Sequence, residues 1–184
     1  MWQRERGDKE EERIADYTVE ETSKGPIIRT EDGKMSFWVP SGWSLKEIGG
    51  QERFFGVVQI FSPELSKNIE EGIEENKFNS KEGCLFEIGM TENYFLDLEE
   101  LEEKSKEDHQ FIGLESEENY EMIDFYGHDA LENTLVSSTF GCCKIIHIIV
   151  GNKLRNITVC SGKKDKEKCF QEFDEFLETA LIAK

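Results

Sequence analysis

Two runs of β-branched residues constrain this chain more than any other stretch. The first is Lys144-Ile-Ile-His-Ile-Ile-Val150; the second, Leu154–Cys160, follows after Gly151-Asn152-Lys153. Gly-Asn between such runs predicts a hairpin, because a tight turn of the matching twist needs positive φ. Upstream, Thr134–Phe140 reaches the same strand through Gly141-Cys142, read as a Gly-X turn, so the expectation is a three-stranded antiparallel meander. Its middle strand is apolar at successive positions, and both of its faces therefore need cover. A helix downstream supplies one cover. Cys169/Phe170, Phe173, Phe176/Leu177 and Ala180/Leu181 recur at helical spacing, which makes one apolar stripe. Asp165 stands where an N-cap belongs, since free backbone N–H groups favour an anion there. Burial of each large side chain on this stripe is worth about 1.5–3 kcal/mol, enough to lay the helix flat on the sheet.

The 184 residues fit one domain. Thirteen Phe and three Trp are enough for a core although 34% of the residues are charged. Residues 1–12 are dense in charge and read as a frayed arm, leaving 13–184 as the domain. No apolar run approaches the ~20 residues of a membrane span, and the start lacks a signal-peptide core. The expected location is the cytoplasm; the alternative is an exported protein whose signal segment has been removed. Five cysteines, Cys84, Cys142, Cys143, Cys160 and Cys169, are odd in number and irregular in spacing. They read as reduced, small buried hydrophobes.

The formal charge of −18 argues against binding to nucleic acid or to an anionic membrane surface. The excess acid is concentrated: Glu92–Glu121 holds twelve acids and two lysines, whereas the chain from Cys142 onward is slightly basic.

In chain order, Arg13–Glu21 reads as a short strand or helix broken by Gly25-Pro26, with Ile27-Ile28 pairing briefly. Met35–Val39 reads as a strand, Pro40-Ser41-Gly42 as a turn, and Trp43-Ser44-Leu45 as extended chain. Phe54–Phe61 is a second strand. Ser62-Pro63 opens a helix to about Asn76, with Ser62 as cap and Pro63 at its first position. Cys84, Phe86, Ile88 and Met90 alternate as in a half-buried strand. Asp97 and Glu100 resemble a capping box with Leu96 and Leu101 as staple, starting a helix to about Asp108 whose apolar stripe is Leu98 and Leu101. Phe111–Leu114 and Glu118–Tyr126 read as extended before the turn at Gly127-His128-Asp129.

Met35-Ser-Phe-Trp-Val-Pro-Ser-Gly-Trp43 resembles the opening of PsbP-like domains, where an apolar strand ends in Pro-x-Gly-Trp. Later features follow in the order of that family: Asp-Leu-Glu-Glu-Leu at Asp97–Leu101, Gly-x-x-Ala at Gly127–Ala130, the meander through Val150-Gly-Asn-Lys-Leu154, and a Phe-rich helix after Ser161-Gly162. The resemblance spans about Lys34 to the end. It implies an α/β/α sandwich, with a central, largely antiparallel sheet, helices on both faces and the C-terminal helix packed on the sheet. The family includes extrinsic photosystem II proteins and a nuclear factor that binds a small GTPase, so the implied function is docking to a protein partner rather than catalysis. The five cysteines and the helix opened by Ser62-Pro63 depart from that pattern.

Candidate sites are few. His147 lies in the Ile-rich strand and reads as a structural histidine with a hydrogen-bond partner; His109 and His128 lie in polar turns. Cys142, Cys143 and His147 are of zinc-ligand type, but adjacent strand residues point to opposite faces. Asn156-Ile157-Thr158 matches a glycosylation acceptor but falls in a strand. No phosphate loop, cofactor fingerprint or calcium loop is present, and no cofactor, metal or catalytic residue is expected. The acidic segment is left. Asp97, Glu99, Glu100, Glu102 and Glu103 read first as a solvated helix face, and second as contacts for a basic protein partner. The second reading makes the chain an acidic inhibitor or immunity-type protein, the alternative to a PsbP-like docking module. An enzyme with an unrecognised site is a more distant third.

Overall fold

The computed structural model describes residues 17–30, 33–49, 56–70, 82–92, 94–95, 97–112, 119–137, 141–151, 153–162 and 164–182. In chain order the elements are β1 (Tyr17–Thr22), β2 (Gly25–Thr30), β3 (Met35–Trp38), β4 (Ser44–Gly49), β5 (Gly56–Phe61), α1 (Pro63–Glu70), β6 (Cys84–Glu92), α2 (Leu98–Ile112), β7 (Asn119–Phe125), β8 (His128–Ser137), β9 (Gly141–Val150), β10 (Lys153–Ser161), α3 (Lys166–Glu178) and β11 (Leu181–Ile182).

The meander forms as its turn chemistry dictates. Val150 pairs with Lys153 across the β9–β10 hairpin, and Gly151 holds φ +65°. These strands sit inside a seven-stranded sheet of order β4-β5-β6-β10-β9-β8-β7, antiparallel at every step. One face of it carries Phe86, Ile146, Ile148, Ile157 and Val159, which pack with Phe37 of β3 and Phe173 and Phe176 of α3. The rings interlock: Phe86 lies 5.4 Å from Phe173 and 5.1 Å from Phe176, and Phe176 stacks on Phe37 at 5.3 Å. The opposite face packs Leu131 and Leu154 against Leu98 and Leu101 of α2. Helices thus cover both faces of an antiparallel sheet, the expected α/β/α sandwich.

A second sheet, β1-β2-β3-β11, shares the core with α3 through Ile28, Met35 and Phe37, and no sequence pattern announces it. Pro26 does not break the first strand; it pairs with Glu21 inside β2, and the chain reverses at Ser23-Lys24. Leu181 is not the end of the helical stripe. The helix stops at Glu178, where the Thr179 hydroxyl donates to the Phe176 carbonyl at 2.7 Å, and Leu181 pairs with Ser36.

Three further readings are corrected, and two fall on residues outside those described. Gly141 and Cys142 belong to β9, so the turn before it falls earlier. Phe111 and Ile112 are helical, because α2 continues past Asp108. The stretch beyond Glu70 read as the rest of a longer α1, like the N-terminal arm at residues 1–12, lies outside the described residues. The cysteines are not all reduced: Cys84 is bonded to Cys169 and Cys143 to Cys160, leaving Cys142 as the free cysteine. Cys143 and Cys160 are directly opposed on neighbouring strands, so the β9–β10 register sets their side chains side by side on one face. Cys84 and Cys169 are brought together where the start of β6 passes under α3, a tertiary contact that spacing along the chain does not encode.

Candidate functional site

The turn that closes the Met35–Trp43 motif forms one wall of a surface cleft. Trp43 N–H donates to the Pro40 carbonyl at 3.1 Å, and Gly42 holds φ +80° at the third turn position, as a type II turn requires. Trp38 N–H donates to the Thr179 hydroxyl at 3.2 Å, tying this wall to the end of α3. Trp43 packs on Phe86 with ring centroids 4.5 Å apart, so its indole is braced from below by the core. The second wall is α3. Glu172, Glu175 and Phe176 stand on it at helical spacing and face Trp38, Pro40 and Trp43 across a cleft of about 310 Å³.

Glu172 is placed at a cost. Its Oε2 lies 3.2 Å from Cys84 Sγ, but a sulfur in a disulfide has no proton to donate, so the contact gives the carboxylate no hydrogen bond. Among the described residues its ion-pair partner is Lys168, at 3.9 Å, which sits closer to Glu64, at 3.1 Å. Burial pushes the Glu172 carboxyl above the ordinary carboxylate range; Lys168 pulls it back, while Glu64, Glu175 and Asp165 add to the rise. Glu64 is held below that range by its backbone hydrogen bond and by Lys168. Glu175 is exposed and accepts from Gln171 Nε2 at 3.2 Å. Cys84, Cys169 and Glu172 have ligand-type atoms within 4.8 Å of one another. A divalent ion needs thiolates, however, and both sulfurs are bonded to each other.

Asp165 does begin α3, but its side chain makes no cap hydrogen bond. The carboxylate instead accepts from Gly83 N–H at 2.9 Å and fastens the helix start to the entry of β6.

The predicted acidic residues lie elsewhere, on and just before α2, and take different roles. Asp97 caps the helix, accepting from Glu100 N–H at 2.9 Å. Glu102 pairs with Lys106. Glu99 and Glu103 are exposed, one turn apart, and Glu100 is half-buried in the first turn. They form a strip rather than a convergent site, and the strip is separate from the cleft.

His147 Nδ1 donates to Asn156 Oδ1 at 2.8 Å, a cross-strand pair on the α2 side of the sheet. Asn156 is thereby engaged within a strand. Cys143, two strand positions from Ile145, is consumed by its bridge to Cys160.

The cleft was not foreseen from sequence. Its signal lay in two parts: the Pro-x-Gly-Trp motif, noticed as a turn, and Glu172 and Glu175, which flank the apolar stripe of the last helix.

No family model and no curated protein sequence matches the chain. Among solved structures it is similar to the solution structure of cyanobacterial PsbP (CyanoP) from Synechocystis sp. PCC 6803, with a TM-score of 0.54 and 15% identity. The match covers 96% of this chain and 98% of that one. The chain therefore has a PsbP-like fold over the matched 96% of its length.

Proposed function

We propose that this chain is a non-catalytic protein-docking module of the PsbP-like type. The observation that carries the reading is the cleft between the Trp43 turn and α3. It sets two tryptophans against two carboxylates, a combination suited to recognising a cationic side chain. The similarity to CyanoP over nearly the whole chain supports the fold on which this rests. Two disulfides support an oxidising compartment, and hence the exported alternative over the cytoplasmic one. No helix among the described residues is long and apolar enough to cross a membrane.

A second reading keeps the acidic strip as the binding face of an inhibitor of a basic protein. One observation favours it: Glu99 and Glu103 are exposed like charges at i, i+4, an arrangement that costs helix stability and that a cationic partner would relieve.

Capture from native extract on the immobilised chain separates the two. Surface charge pairs are screened over ~8 Å at physiological salt, so a partner held by the strip is lost at high salt and lost when Glu99, Glu102 and Glu103 are changed to Lys. A partner held when Glu99, Glu102 and Glu103 are changed to Lys, and lost on Trp43→Ala, supports docking at the cleft. A partner indifferent to Trp43→Ala overturns that reading.

A further inference from the structure

We propose that the cleft between the Trp43 turn and α3 receives an arginine side chain from a partner protein, its guanidinium against the indoles and paired with Glu172 and Glu175. The partner as source of the arginine rests on the docking reading; the chemistry of the cleft does not.

Three observations converge. The first is shape: a recess of about 310 Å³, at the small end of ligand sites, suits a single side chain with its stem better than a large molecule. The second is its walls. Trp38 and Trp43 are the aromatic type that attracts cations most strongly, by the negative face of the indole ring. The third is unmet charge. Glu172 has a disulfide sulfur on one oxygen and only a distant, shared ammonium on the other. Glu175 accepts from the neutral amide of Gln171 and makes no ion pair among the described residues. A cation entering between the two carboxylates supplies what both lack.

Arginine fits this set better than lysine. Its planar guanidinium stacks on an indole and can fork to two carboxylates at once, whereas an ammonium is a compact and strongly hydrated point charge. Glu172 and Glu175 stand at i, i+3 on α3, so they project from neighbouring turns of one helix face. Across from them the Trp43 ring is braced by Phe86, and the Trp38 backbone N–H is tied to the Thr179 hydroxyl, so the recess is formed before the ligand arrives.

The test uses the full chain carrying Trp2→Phe, so that Trp38 and Trp43 give the fluorescence. Capped heptapeptides of Gly and Ser with one central arginine, lysine or citrulline are titrated in turn. Saturable binding of the arginine peptide is expected, several-fold tighter than lysine and about tenfold tighter than citrulline, which keeps the shape but lacks the charge. Glu172→Gln and Glu175→Gln should each weaken arginine binding about fivefold to tenfold, while thermal melts show both variants folded. Changing Glu99, Glu102 and Glu103 to Lys should leave it unchanged. Equal binding of citrulline, indifference to Glu172→Gln, or competition by a neutral oligosaccharide overturns the proposal. A captured partner that survives Glu172→Gln with Glu175→Gln overturns this inference and leaves docking in place. Arginine binding without any captured partner supports the cleft chemistry and removes docking.

Discussion

Lys168 stands between two carboxylates that it serves unequally, 3.1 Å from Glu64 and 3.9 Å from Glu172. The two acids should therefore answer pH with opposite signs. Glu64 is held below its ordinary range, so it contributes stability above the unfolded-state pKa and loses it as pH falls through the folded one. Glu64→Gln is expected to cost about 0.2–1 kcal/mol at pH 7, the size of an exposed ion pair, and nothing once the pH is low enough to protonate both states. Glu172 is pushed upward, chiefly by burial. The folded state then holds the proton more tightly than the unfolded state, so ionised Glu172 lowers stability as pH rises through the carboxylate range. Glu172→Gln should raise the melting temperature at pH 7, with the gain vanishing in acid. Thermal melts of both variants from pH 3 to 8 check the pair; a lower melting temperature for Glu172→Gln at pH 7 would mean that the carboxylate is structural. None of this was legible from the chain. Glu172 is one of several acids flanking the apolar stripe of α3, and what sets it apart, the Trp43 turn and the Cys84 sulfur beside it, lies far away in sequence.

At the scale of elements, local chemistry was most readable where it is truly local. Asp97 was identified from its spacing to Glu100, and its carboxylate accepts that residue's N–H. Asp97→Ala should cost about 1 kcal/mol, seen as a lower urea midpoint at unchanged slope. Asp165 looked the same in sequence but serves Gly83 instead, because β6 offers a donor that no local pattern announces. The glycines around β9 make a sharper comparison. Gly141 and Gly151 both hold positive φ, at 76° and 65°, but a Cβ on Gly141 would sit 2.0 Å from the Ser161 carbonyl oxygen, whereas nothing lies within 4 Å of one on Gly151. Gly151→Ala should cost about 1–2 kcal/mol, the left-handed penalty alone. Gly141→Ala must also move β9 away from the end of β10, and should cost clearly more. Equal midpoints for the two variants would refute the close approach. The hairpin at Gly151 was readable because its turn residues are adjacent; the contact at Gly141 joins strand ends that only the folded sheet brings together.

For the whole molecule, the sandwich was legible because the apolar periods of β6, β9, β10 and α3 each name a buried face, and those faces can be satisfied only against one another. The second sheet was not, since β11 is two residues long and pairs with a strand from the other end of the chain. The disulfides belong to the same class of long-range fact, and they carry the broadest prediction. In denaturant without reductant the chain should show one reactive thiol, Cys142, and five after reduction. Five at the outset would restore the reduced reading and with it the cytoplasmic expectation. The two bridges should also differ in effect. Cys84–Cys169 spans a sequence separation of 85 and Cys143–Cys160 one of 17. Chain-entropy reasoning assigns about 4–5 kcal/mol to a loop of the first size and about 3 kcal/mol to the second. Paired Cys→Ser substitution should therefore lower stability more for the long loop, by roughly 1 to 2 kcal/mol, or about 2–8 °C at this chain length. The long bridge has a second consequence that the short one lacks. Cys169 lies on α3 below the cleft, and Cys84 abuts Glu172. Opening Cys84–Cys169 should loosen α3 against β6 and lower affinity at the cleft, while opening Cys143–Cys160 should leave it unchanged. Parallel measurements of stability and arginine-peptide binding on the two double variants check both parts; equal losses of binding would separate the cleft from the bridge beneath it.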